Sequence, residues 1–321
     1  INNLDELYKY SVELEDTLNQ LAIDMDNGNI SWRDLTKKSN DIFAQEVSNI
    51  SKDSFSRIEE NFHEYSGLIY DGAFSEHITT SEKKGLTGQE IDENTAKQVA
   101  SAFIGDDNIS DISSNGNSEN SDIQTYDFVV TPRDNQDSHI IISVSKIGGH
   151  IVYMNSDKIV SDKKISTEEA CSKAKEFLEA REFKSMQETY FLEQEGILTI
   201  NFAYMQDNVI IYPDLIKVKV ALDNGDILGI ESTGYLNSHF ERQIQKPIIT
   251  KDEARKNIND KIEIQSEGLA IIPTEYETEI LCWEFKGKVE DRDYLVYINA
   301  ENGREEDILL IVNTPNGTLT L

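Results

Sequence analysis

Apolar residues recur in two different rhythms along this chain, and the rhythm changes after residue 85. In the first part, Leu4, Leu7, Ser11, Leu14, Leu18, Leu21 and Met25 follow alternating spacings of three and four. That is an a/d seam with one polar position, and it predicts a helix of about six turns. Asp26-Asn27-Gly28-Asn29 supplies a turn, because Asn and Gly tolerate positive φ. Ser31, three residues before Asp34, is a weak form of the capping box. A second helix is predicted from Trp32 to Tyr65, carrying Leu35, Ile42, Phe43, Val47, Ile50, Phe55, Ile58 and Phe62 and ended by Ser66-Gly67. The simplest object is an antiparallel helical hairpin over 1–66. Its seam is longer than the hairpin itself needs, so a further helix upstream or another protein is expected to cover it.

Beyond residue 85 three stretches share one grammar. Asp92-Glu93-Asn94-Thr95-Ala96 precedes Val99, Ala100, Phe103 and Ile104; Ser166-Thr167-Glu168-Glu169-Ala170 precedes Ala174, Phe177 and Leu178; Thr250-Lys251-Asp252-Glu253-Ala254 precedes Ile258 and Ile262. Each reads as a polar N-cap followed by acids that complement the helix dipole, then one apolar helical face. Strand-like alternation follows each helix and ends in a turn: HIIISVSKIGGHIVYM, IKVKVALDNGDILGIES and DYLVYINAENGREEDILLIV. Ala96 precedes Gly149 by 53 residues, Ala170 precedes Gly225 by 55, and Ala254 precedes Gly303 by 49. Recurrence of the same elements at near-constant spacing is an internal repeat, and Asn-Gly between apolar runs is a hairpin signal. The expected fold is α+β: the hairpin, then three tandem units, each one helix on a small antiparallel sheet, over 91–162, 163–246 and 247–321. Residues 105–122, polar and acidic, are expected to form a mobile loop within the first unit.

Between hairpin and repeats lies a joint, 67–90, with the stretch GLIYDGAFSEHI at 67–78. Gly67 and Asp71-Gly72 allow sharp bends, and Leu68, Ile69, Tyr70 and Phe74 are suited to plug the seam between hairpin and first repeat. Glu76 and His77 are adjacent and so point differently on any regular element. The joint therefore reads as structural rather than catalytic. Tyr70, Asp71, Phe74 and His77 are its candidate partner contacts.

Composition narrows the function. With 321 residues, two to four domains are expected. A net charge of −30 repels nucleic acid and anionic lipid but leaves basic partners and cations open. No run of eighteen apolar residues exists. The chain opens at Ile1 inside a helical pattern and is expected to be a fragment whose membrane anchor, if any, lies upstream. Cys171 and Cys282 are far apart and read as packed core thiols.

Motifs that carry chemistry are missing. There is no G-x-S-x-G elbow, phosphate-binding glycine loop or HExxH, and His63 with His77 lack metal-ligand spacing. His139, His150 and His239 read as surface or strand-edge residues. Asp24, Asp26 and Asn27 begin like a calcium loop, but Gly28 comes one residue early and Leu35 stands where the bidentate Glu belongs. No Asp or Glu is read as isolated in an apolar run flanked by aromatics, as a glycosidase pair would require. No cofactor or metal is expected. For proteolysis, 105–122 and the tether 236–246 are the expected exposed segments.

The helix-plus-hairpin units resemble PepSY domains, whose signature is an S/T-x-x-E-A helix start, A-x-x-F-L, and a strand ending D-x-x-x-G. The second unit fits best, with ISTEEACSKAKEFL and VKVALDNGDILGI; the third keeps ITKDEA and VYINAENG but lacks the Phe-Leu pair; the first departs most, with NTAKQVASAFIG and an IGG turn. GLIYDGAFSEHI followed by GLTGQEI, between a helical region and tandem units, resembles the YpeB family of spore germination proteins. The resemblance implies an N-terminally anchored protein at the outer face of the inner forespore membrane or in the cortex. It also implies a non-enzymatic partner that stabilises, localises or restrains a cortex-lytic enzyme of the SleB type until germination. Two other readings stay open: a peptidoglycan-acting enzyme with an unidentified carboxylate pair, and an acidic cation sensor.

Overall fold

The computed structural model describes Phe74 and residues 83–119, 121–274, 278–314 and 317–320. All belong to one compact unit spanning Ile69–Leu321. The expected hairpin over 1–66 lies outside the described residues.

The three predicted helix starts form as the side chains dictate. Helix α1 (Glu93–Ile104) is capped by Asp92, which accepts a 2.8 Å hydrogen bond from Thr95 N–H. Helix α2 (Thr167–Glu179) is capped by Ser166, and the later α4 (Lys251–Arg255) by a full capping box between Thr250 and Glu253. Ala96, Ala170 and Ala254 are completely buried. A short helix, α3 (Thr233–Ser238), lies between α2 and α4. α4 is shorter than its pattern suggests, yet Ile258 beyond its end is still buried.

The strands group into three meanders. The first holds β1 (Ile109–Ser118), β2 (Thr125–Pro132), β3 (Ile140–Ser145) and β4 (Ile151–Ser156). The second holds β5 (Met186–Gln194), β6 (Ile197–Gln206), β7 (Val209–Ala221) and β8 (Ile227–Glu231). The third holds β9 (Glu263–Pro273), β10 (Glu279–Val289), β11 (Arg292–Asn299), β12 (Glu305–Thr314) and β13 (Gly317–Thr320). Gly225 and Gly303, both at positive φ, make the Asn-Gly turns. These are not three small sheets, as the repeat suggested. Among the described residues, all thirteen strands form one sheet in the order β1-β2-β3-β4-β8-β7-β6-β5-β13-β12-β11-β10-β9. Meander edges would expose unpaired backbone groups, and pairing edge to edge satisfies them. β4 joins β8 through Tyr153↔Glu231 and Met154↔Ile230, and β5 meets β13 at Leu192↔Gly317. The sheet also closes on itself, because Val209–Ile211 of β7 run parallel to Leu269–Ile271 of β9. A circuit thus runs β7, β6, β5, β13, β12, β11, β10, β9 and back to β7.

The sheet and its helices share buried cores. The largest contains Ala96 and Ala100 of α1, Ala170, Ala174 and Leu178 of α2, and Phe128, Ile142, Ile200, Phe202 and Ile216 from the strands below them. Arg181 bolts the two helices together. Its guanidinium lies 3.8 Å from the Phe177 ring centroid and 4.6 Å from that of Phe103, and it donates a 2.8 Å bond to the Phe103 carbonyl.

Two segments expected to be exposed are built in. Within 105–122, a 3-10 turn at Asp106–Asn108 leads into β1, which pairs with β2 through Ile112↔Val130 and Ser114↔Phe128. Ladder bonds need only the backbone, so an edge strand can be polar throughout and escape a hydrophobicity pattern. In the tether 236–246, Leu236, Asn237, Ser238 and Arg242 are buried. The tether is a pinned strap rather than an exposed linker.

Candidate functional site

One irregularity in β7 places two polar clusters. The β6–β7 register steps from Ala203↔Leu215 to Tyr204↔Ile211, so Tyr212, Pro213 and Asp214 have no partner on β6. Pro213 has no N–H to give a ladder, which suits it to this bulge.

Asp214, with its side chain fully buried, anchors the first cluster. Arg242 of the strap meets it in a fork, Nη1 to Oδ2 at 2.9 Å and Nη2 to Oδ1 at 2.7 Å. Arg242 also reaches Glu279 of β10, with Nε to Oε2 at 2.8 Å and Nη2 to Oε1 at 2.7 Å. Burial works against the arginine charge, but the bonds to Glu279 and Asp214 outweigh it and hold the group above its ordinary pKa. His239 Nδ1 lies 2.7 Å from Asp214 Oδ2, with the ring stacked on Tyr235 at 4.1 Å and edge-on to Tyr204 at 4.7 Å. His239 was read as a surface histidine; it is instead part of a clamp joining strap, β7 and β10.

The second cluster fills the interior of the closed circuit. Glu284 of β10 stands opposite Tyr297 of β11 and Gly268 of β9. Tyr212 donates a 2.6 Å hydrogen bond to Glu284 Oε2. The buried Tyr297 hydroxyl makes no tight hydrogen bond but lies close enough to Glu284 to help lower its carboxyl pKa. Burial raises the Glu284 carboxyl above its usual range, against the bonding and charge that lower it. Burial, and then the Glu284 charge, push the Tyr190, Tyr212 and Tyr297 phenols well above theirs. All three phenols therefore remain protonated donors at neutral pH. Glu284 corrects the expectation that no acid stands alone among aromatics, since it lies in LCWEFKG between Trp283 and Phe285. Strand alternation sends Trp283 and Phe285 to the other face, and only the topology shows that Glu284 faces inward.

Phe74 is the one joint candidate within the described residues, and it enters this same interior. It is 3% exposed, adopts φ 64°, and meets Tyr212 and Tyr297 edge-on at 5.4 and 5.1 Å. Phe74 acts as a plug here. The seam it fills lies between strands of the second and third meanders, not against the first. Phe74 is thus a buried residue of this interior. Tyr70, Asp71 and His77 lie outside the described residues.

The remaining candidates are structural. Burial pushes the Cys171 and Cys282 thiols up to about 12, so both stay neutral, as core cysteines should. His150 Nε2 lies 2.7 Å from the Thr87 carbonyl, and exposed His139 sits beside Asp157. Among the described residues no group of three or more His, Cys, Asp or Glu could hold a metal, and no helix is long and apolar enough to cross a membrane.

This helix-and-sheet construction is of the PepSY class. The family described as "YpeB sporulation, PepSY1 and PepSY2 domains" matches residues 51–245, and the one described as "Peptidase propeptide and YPEB domain" matches 248–309. A sporulation protein YpeB of Halalkalibacterium halodurans is 31% identical over 310 residues, covering 95% of this chain and 68% of that protein. The Bacillus subtilis sporulation protein YpeB is 30% identical over 319 residues, 97% of this chain and 69% of that one. The solved Bacillus megaterium YpeB C-terminal domain superposes with a TM-score of 0.62 at 29% identity, covering 70% of this chain and 100% of that domain. The chain belongs to the YpeB family of sporulation proteins, a family named for sporulation and not for an enzymatic activity.

Proposed function

We propose that the chain is a non-enzymatic spore germination protein that binds a cortex-lytic enzyme of the SleB type and stabilises or restrains it until the cortex is hydrolysed. It would act at the outer face of the inner forespore membrane or in the cortex, held by an anchor upstream of Ile1. Membership in the sporulation family across residues 51–245 and 248–309 carries this reading. The chemistry agrees with it: the thiols are neutral, Glu284 is half-buried and hydrogen-bonded by Tyr212, and Arg242 is held by both Asp214 and Glu279.

The test mixes the purified chain with the lytic enzyme of the same organism and measures association and cortex hydrolysis, with each protein alone as control. Binding with slowed hydrolysis makes the chain a restraint. Binding with unchanged hydrolysis but a longer-lived enzyme makes it a stabiliser. Absence of binding ends the proposal, and cortex hydrolysis by the chain alone, lost in Glu284→Gln, would replace it with an enzyme.

A further inference from the structure

We propose that the interior of the closed circuit is a binding site for a primary alkylammonium, the end of a lysine side chain on a basic partner, with Glu284 as its anionic anchor and the space over Gly268 as its seat. The strand register brings the parts together. Glu284 lies between Gly268 and Tyr297 on one face, and Asp307 of β12 stands opposite Tyr297 on that same face. A Cβ built on Gly268 meets nothing within 4 Å, so there is open room directly beside the carboxylate. The Tyr297 side chain is 0% exposed, and its hydroxyl, close to Glu284 and Tyr212 but in no tight bond with either, keeps an acceptor lone pair.

The chemistry of this space favours a monovalent N–H donor. Glu284 has a hydrogen bond from Tyr212 on one oxygen, and a carboxylate has room for about three more. Enclosing such a group without a cation is costly, and a paired cation repays the desolvation only when further hydrogen bonds complete the geometry. An ammonium has three donors and can serve Glu284 and Tyr297 Oη together. A divalent metal wants several carboxylate or carbonyl oxygens at once, and among the described residues no group of three or more His, Cys, Asp or Glu could hold one. The tyrosine rings offer faces for a cation, and Ile210, Ala270 and Ile280 offer apolar surface to a methylene stem. Tyr190, Ile210, Ile280 and Glu284 each retain some accessible surface, so the interior is not sealed. Lys286, two positions along β10, is exposed and attracts Glu284 only through space. A chain charge of −30 would draw a basic partner toward the site.

The experiment titrates the whole chain with n-butylammonium chloride at constant ionic strength, with n-butanol and sodium chloride as controls, and follows backbone amide shifts. The expected result is a saturable response to the amine alone, confined to β9, β10 and β11. Glu284→Gln, which keeps the shape and the Tyr212 bond, should weaken it at least tenfold, and Gly268→Val should abolish it. If Gly268→Val does not fold, Glu284→Gln decides alone. No saturable response, an equal response to sodium, or unchanged affinity in Glu284→Gln would overturn the proposal. Because the amine is used without any enzyme, failure here leaves the lytic-enzyme reading standing.

Discussion

Replacing Arg242 by methionine would leave Asp214, whose side chain is fully buried, facing Glu279 with no guanidinium between them. Breaking a buried pair from one side costs about 3–5 kcal/mol, because an uncompensated charge stays inside. Urea unfolding of Arg242→Met should show a loss of that size. Adding Asp214→Asn should recover part of it, since the stranded charge is then gone. Glu284 behaves in the opposite sense. Its carboxyl is raised in the folded chain, so its contribution is most favourable below the ordinary value of 4.5 and declines as pH rises through the folded value. Glu284→Gln should therefore be more stable than the parent at neutral pH, with the advantage vanishing as pH falls below that ordinary value. Unfolding curves collected across that pH range check the sign; a variant less stable at neutral pH would mean that the charged form is the better-held one.

The helix starts were legible because capping is local: Asp92, Ser166 and Thr250 act on N–H groups a few residues away, and the alternation that follows is written into the strands themselves. α4 has only a few residues between its caps, so the cap carries much of its stability. Thr250→Ala should cost about 1 kcal/mol by denaturation, in the usual range for removing a cap. The β1 segment was illegible for an equally physical reason. Its residues are polar apart from Ile109 and Ile112, only Ile109 is buried, and its strand state is held by backbone bonds to β2. Hydrogen exchange tests this assignment: amides of β1 directed at β2 should exchange well below the free rate, and free exchange across 109–118 would return the segment to a loop. The Glu284 and Arg242 clusters were hidden in another way. Their partners lie in distant strands, Tyr212 being far from Glu284 in sequence and Asp214 far from Glu279, and no short window contains both halves.

Across the whole molecule, repetition in sequence did not mean separability in space. α1 and α2 share one buried cluster, Arg181 bridges them, and β4 has β8 as its neighbour. Residues 83–162 expressed alone would expose the β4 edge and half of that cluster, and a domain so small buries too little apolar surface to compensate. They should lack a cooperative unfolding transition by circular dichroism in urea. Residues 83–246 retain both helices and the whole cluster, so they should keep such a transition. They lose β9–β13, however, which removes the partner of Val209–Ile211, the Glu279 half of the arginine clamp and the walls around Tyr212. Tyrosine solvent exposure, read by ultraviolet difference spectra, should therefore rise in 83–246 while the helical signal persists. Independent folding of 83–162 would contradict this account, because it would mean that the first meander needs neither the β8 edge nor the α2 face to hold its own core.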